Sequence, residues 1–201
     1  MNSVDWDKRD KPYTYLKQAL EIFEKFKTKV IVEIGTNRTP INHHIDDYSH
    51  GCCMEGHSSL ILAPACEEFY SVDINSESTD LTRDLLKTLN LNNKWRVTNG
   101  DGIEFLKNFD KKIDLLFLDA WDVDHSDASE KHLEAYHAAY DKLNTKHIIL
   151  IDDTDVGFNS SSGFFIDPNG MNGKGALLVP YLIDSNYKLI FTGRQTCLIK
   201  D

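Results

Sequence analysis

Apolar positions fall in short continuous runs along most of this chain, separated by stretches with helical spacing. Val30, Ile31 and Val32 follow one another without a polar break, and Glu33, Ile34 and Gly35 come next. Such a run predicts a strand buried on both faces, as in the middle of a parallel sheet covered by helices. Comparable runs recur at 69–73, 113–119 and 148–153, each ending in acid, with a shorter one at 95–98. Tyr13, Leu16, Leu20 and Phe23 have helical spacing within 13–27, and Pro12 suits the first turn there. Helices are also predicted over 79–89, from Ile103, over 128–143 and over 176–183. Apolar stretches at 188–192 and 195–199 flank Gly193 and Arg194, which predicts a β-hairpin at the C-terminal end. Strands alternating with helices predict an α/β fold with a mostly parallel sheet.

Two stretches break this rhythm. Residues 37–56 hold Pro40, His43, His44, Asp46, Asp47, His50, Cys52 and Cys53. They read as an inserted polar lid, because loops of this length inside a compact domain usually serve function. A zinc site is the alternative, although the spacings match no ligand rhythm. Gly56, His57, Ser58 and Ser59 then open a helix whose free N–H groups would favour a carboxylate or phosphate. Residues 156–174, rich in Ser, Gly, Asn and Asp, read as a mobile loop over the site. Lys174 and Gly175 lack the Walker spacing of a phosphate loop.

With 201 residues and no linker-like stretch, a single domain over 1–201 is expected, with 1–28 as a helical flank. The net charge of −10 and pI of about 5.2 argue against nucleic acid as a partner. An acidic surface instead suits a cationic small molecule or a metal ion. No apolar run reaches membrane-spanning length, and the polar first ten residues predict no secretory signal. Four cysteines without paired Cys-x-x-Cys spacing fit a reduced cytoplasmic setting. A homodimer is the default assembly.

The strand ends carry the chemistry. Gly35 lets the backbone turn and approach a ligand, so 33–36 is the expected floor of a cofactor site. Asp73, after the second strand, is placed to hold ribose hydroxyls. Asp101 can cap a helix and can also accept from an adenine amino group. Asp119, Asp152 and Asp153 end neighbouring strands, where three carboxylates would repel unless protonated or bound to a cation such as magnesium. Trp121 offers an apolar wall for an acceptor, or simply a core residue.

In this order, Val32-Glu33-Ile34-Gly35-Thr36, Gly56-His57-Ser58-Ser59, Val72-Asp73, Gly100-Asp101, Leu118-Asp119 and Ile151-Asp152-Asp153 resemble the motifs of class I S-adenosylmethionine-dependent methyltransferases. The resemblance covers nearly the whole chain. It implies a Rossmann-like, doubly wound, seven-stranded, mostly parallel sheet with a C-terminal antiparallel hairpin. It places cofactor contacts on Glu33, Gly35, Thr36, Ser58, Asp73, Asp101 and Asp119. The acids of strands four and five resemble the metal ligands of magnesium-dependent small-molecule O-methyltransferases, which implies a divalent cation on Asp119, Asp152 and Asp153. Catechol-type members carry a lysine shortly after the fourth-strand acid, where Asp122 stands here. His125 resembles a histidine of related families and becomes the candidate base, with Asp122 beside it. The implied reaction is methyl transfer from a sulfonium to a hydroxyl of a small-molecule acceptor. A nicotinamide-dependent oxidoreductase is the alternative, although Gly-x-Gly-x-x-Gly is missing after the first strand. A non-catalytic cofactor-binding module of the same fold is another.

Overall fold

The computed structural model describes residues 11–27, 29–38, 57–167 and 172–201. The His- and Cys-rich part of the predicted insertion, 39–56, lies outside the described residues, as do residues 1–10 of the predicted flank. Seven strands form one sheet: β1 (Val30–Ile34), β2 (Glu68–Asp73), β3 (Lys94–Asn99), β4 (Ile113–Leu118), β5 (Leu143–Ile151), β8 (Lys188–Phe191) and β9 (Thr196–Lys200). Their spatial order is β3-β2-β1-β4-β5-β9-β8. All neighbours run parallel except the two pairs made by β9. The first strand, β1, lies mid-sheet; the chain then winds outward to β3 and returns to the other side of β1 with β4. The order therefore reverses between β1 and β4, which is the fold class the sequence implied.

Helices cover both faces because strand side chains alternate. On one face Val32, Ile34, Leu116, Leu118, Ile149 and Ile151 share a core with α4 (Gly102–Asn108), α5 (Ala128–Ala139) and α6 (Leu178–Asp184). On the other, Ile31, Phe69, Leu115, Phe117, Ile148 and Leu150 pack with α1 (Lys11–Phe23), α2 (Ser58–Leu62) and α3 (Ser76–Thr88). Glu33 shares the side of Ile31, so it is buried against the α2 face. Among the described residues no helix is long and apolar enough to cross a membrane. Cys66 and Cys197 are buried and free.

Several elements differ from expectation, and helix α1 ends at Phe23 rather than at residue 27. Helix α3 starts earlier, at Ser76, because Asn75 caps it by accepting from the Glu77 and Ser78 N–H groups at 2.8 and 3.3 Å. Helix α5 stops at Ala139, and Leu143 already belongs to β5. The predicted mobile loop over 156–174 contains a hairpin, β6 (Val156–Asn159) paired with β7 (Gly163–Ile166). Its turn residues dominate the composition, yet Asn159 accepts from the Ser161 N–H at 2.8 Å and orders the turn.

Strand register decides where the acidic strand ends emerge. Ile34 lies beside Val72 and Leu118, and Leu118 beside Ile151. The next residues, Gly35, Asp73, Asp119 and Asp152, thus leave the sheet as a row. At the reversal the backbones nearly touch: Gly35 has φ +98°, and a Cβ there would lie 2.7 Å from the Asp119 carbonyl carbon and oxygen. Gly35→Ala is therefore expected to lower stability by about 2 kcal/mol or more. Gly100→Ala, whose Cβ would meet nothing within 4 Å, should stay within about 0.5 kcal/mol of the parent. Urea denaturation of both variants checks the contrast, and equal effects would contradict the close approach.

Candidate active site

A cleft of about 240 Å³ opens at this reversal point. Gly35, Thr36, Asp73, Asp101, Asp119, Trp121, Asp122 and His125 all line it. Asp73 is held from two sides. Its Oδ2 accepts from the Thr36 backbone N–H at 2.9 Å and from the Thr36 hydroxyl at 3.3 Å, and its Oδ1 accepts from the Asn75 N–H at 2.8 Å. Carboxylate oxygens have further lone pairs, so a fixed Asp73 can still accept from a ligand. Asp101 caps α4 by accepting from the Glu104 N–H at 2.9 Å and also faces the cleft, so both of its expected roles are compatible.

The loop after β4 forms the opposite wall. Trp121, with φ +51°, packs edge-on against the buried His132 at 5.4 Å between ring centroids. Arg38 donates to Asp122 across the cleft mouth at 2.8 Å. His125 is exposed and lines both this cleft and a neighbouring one of about 420 Å³, which Phe158 of β6 and Phe165 of β7 also line.

Glu33 and Ser58 do not line the cleft, contrary to expectation. Glu33 is completely buried and accepts from the hydroxyls of Ser58, Ser59 and Ser71 at 2.6, 2.5 and 2.5 Å. It ties α2 to β1 and β2 from below. Burial raises its carboxyl to about 7, against the pull of the three hydroxyls.

Asp119, Asp152 and Asp153 do converge, each offering an oxygen within 4.8 Å of the others. The charge that offsets them comes from a residue to which the sequence pattern assigned no role. Lys174 is fully buried, with Nζ 2.8 Å from Asp119 Oδ1 and 3.1 Å from Asp153 Oδ2. Arg194 adds a second cation 3.3 Å from Asp153, and Gln195 donates to Asp152 at 2.6 Å. Burial alone would raise Asp153, but Lys174 and Arg194 hold it below the usual carboxylate range. Asp152 is pushed well up by burial and by the charges of Asp119 and Asp153. Lys174 stays charged because its acidic neighbours outweigh its burial. Magnesium needs near-octahedral oxygen ligation at about 2.0–2.1 Å. An ion bridging Asp119 and Asp153 would meet an ammonium already seated between them. In this arrangement the three acids do not fit the expected divalent cation. The signal available in the sequence was a lysine between two glycines, which the Walker spacing alone does not explain.

Comparison with known proteins agrees with the fold. A family described as a methyltransferase domain matches residues 52–154. The fold is similar to an O-methyltransferase from Bacillus cereus solved with S-adenosylhomocysteine: TM-score 0.61 and 16% identity, over 96% of this chain and 84% of that one. A methyltransferase from Podospora anserina, also solved with that product, gives TM-score 0.61 and 17% identity over 99% and 82%. An rRNA methylase from Streptococcus thermophilus gives TM-score 0.56 and 11% identity over 94% and 95%. No curated protein sequence matches.

The buried carboxyl of Glu33 has a thermodynamic signature. Its pKa is about 7 when folded and near the ordinary 4.5 when unfolded, so the folded state holds the proton more tightly between those values. Its stabilising contribution is full below the lower value and is lost as pH rises through the upper one. Glu33→Gln removes that loss. The stability of the parent relative to Glu33→Gln should fall by up to about 3 kcal/mol over this window. Denaturant titrations across the pH range would contradict this if the two curves ran parallel.

Proposed function

We propose that this chain, which belongs to the methyltransferase-domain family, binds S-adenosylmethionine in the cleft at the sheet reversal and methylates a hydroxyl of a small molecule. One observation carries the reading: Gly35, Thr36, Asp73 and Asp101, assigned to the cofactor on three separate sequence motifs, all line one cleft. Its location beyond the carboxyl ends of β1 and β4 is where open α/β sheets bind ligands.

The bound cofactor supplies a methyl group on a positively charged sulfur. The side chains supply its setting. Asp73 accepts from the ribose hydroxyls, while Asp101 accepts from the adenine amino group. Gly35, lacking a side chain, leaves the cleft floor open to the methionine part. The acids lining the cleft favour a cationic ligand. His125, shared by the two clefts, takes the acceptor's proton, and Arg38 steadies Asp122 beside it. Phe158 and Phe165 give the acceptor an apolar wall. Alignment of acceptor and methyl donor contributes most, on the order of 7–11 kcal/mol.

The net charge of −10 favours a small acceptor over a polyanionic RNA. Family membership leaves the nicotinamide alternative without support. The non-catalytic module is separated by experiment, because it would bind cofactor and turn over no acceptor.

Calorimetric titration with S-adenosylhomocysteine is expected to show binding, weakened about 10–100-fold by Asp73→Asn. An unchanged affinity would remove Asp73 from the cofactor site. On a panel of hydroxylated small molecules, His125→Ala should lower turnover about 100-fold or more with cofactor affinity intact. Loss of cofactor binding instead, or no loss of turnover, would contradict its role as base.

A further inference from the structure

The strand-end acids resemble a magnesium site, yet the space between them is filled. We propose that Lys174 is the resident cation of this site, so that the chain neither binds nor needs a divalent ion on Asp119, Asp152 and Asp153. The lysine is fully buried and has three polar neighbours for its three N–H donors. These are Asp119 Oδ1 at 2.8 Å, Asp153 Oδ2 at 3.1 Å and the Asp119 carbonyl at 3.3 Å. It therefore has no donor left for a substrate and acts as a positioning residue, holding Asp119 at the cleft.

Its placement is built into the local backbone. Gly173 has φ +59°, and a Cβ there would lie 2.1 Å from the Val156 carbonyl oxygen and 2.3 Å from that of Asp153. A Cβ on Gly175 would lie 2.7 Å from Thr154 Cγ2. Two glycines thus let the chain thread close against the segment after β5, which carries the lysine inward. Thr154 is in turn fixed, its hydroxyl donating to the Gly193 carbonyl at 2.7 Å and its N–H to the Arg194 carbonyl at 3.0 Å. Its own carbonyl accepts from the Asn172 N–H at 3.0 Å. A divalent ion beside the ammonium would face like charge from both Lys174 and Arg194.

The cation-binding claim stands whatever the chain methylates. Only its consequence, turnover that survives chelation, rests on the methyl-transfer reading. Electron paramagnetic resonance of manganese tests the first part. The parent protein should leave the free-manganese signal undiminished, while Lys174→Met, folded by circular dichroism, should take up one equivalent. Lys174→Gln serves as the second variant should the first fail to fold. Uptake by the parent that Asp152→Asn abolishes would overturn the proposal. So would a folded lysine variant that takes up no manganese. Calorimetry with S-adenosylhomocysteine on the same samples keeps the two readings apart: absent cofactor binding would sink the methyltransferase reading and leave the manganese result standing.

Discussion

Three carboxyl groups at one end of a sheet, half-withdrawn from water, repel one another unless protons or positive charge come among them. That constraint organises this molecule. Lys174 meets it from a position 55 residues away in sequence from Asp119, and Arg194 reinforces it from beyond β8. Removing one partner of such a buried set costs about 3–5 kcal/mol, because the remaining charge is left uncompensated. The local backbone, with Gly173 and Gly175 against Thr154 and Asp153, is shaped to deliver the lysine there. Asp119 joins the buried ion set to the open cleft, since it contacts Lys174 and also lines the cavity.

The cleft is a product of parallel pairing. Matching registers bring Gly35, Asp73, Asp119 and Asp152 out of the sheet in a row, and the reversal of strand order opens a crevice at that row. Below it, Glu33 and three serine hydroxyls tie α2 to the first two strands. Glu33 thus ties the floor together, while Asp73 lines the cleft above it.

The central strands β1, β4 and β5 were legible because a strand buried on both faces must be written in continuous apolar residues, and β4 and β5 end where acids take over. The convergence of Asp119, Asp152 and Asp153 followed from strand order. Two things were not legible. The β6–β7 hairpin hides behind the turn residues at 160–163, which outweigh two short apolar runs. Lys174 is marked locally only by its flanking glycines, which do not show that it is buried, because only its tertiary partners make burial of a charge tolerable. Glu33 is an intermediate case: it shares the strand face of Ile31, and alternation alone placed it under α2 rather than in the cleft.

A crystal structure grown with S-adenosylhomocysteine and manganese, with anomalous data at the manganese edge, would test the central claim most directly. The expected result is an adenosyl group between Asp73 and Asp101, Lys174 Nζ between Asp119 and Asp153, and no anomalous peak among the three acids. A manganese peak there with the lysine displaced, or the adenosyl group bound elsewhere on the surface, would contradict it.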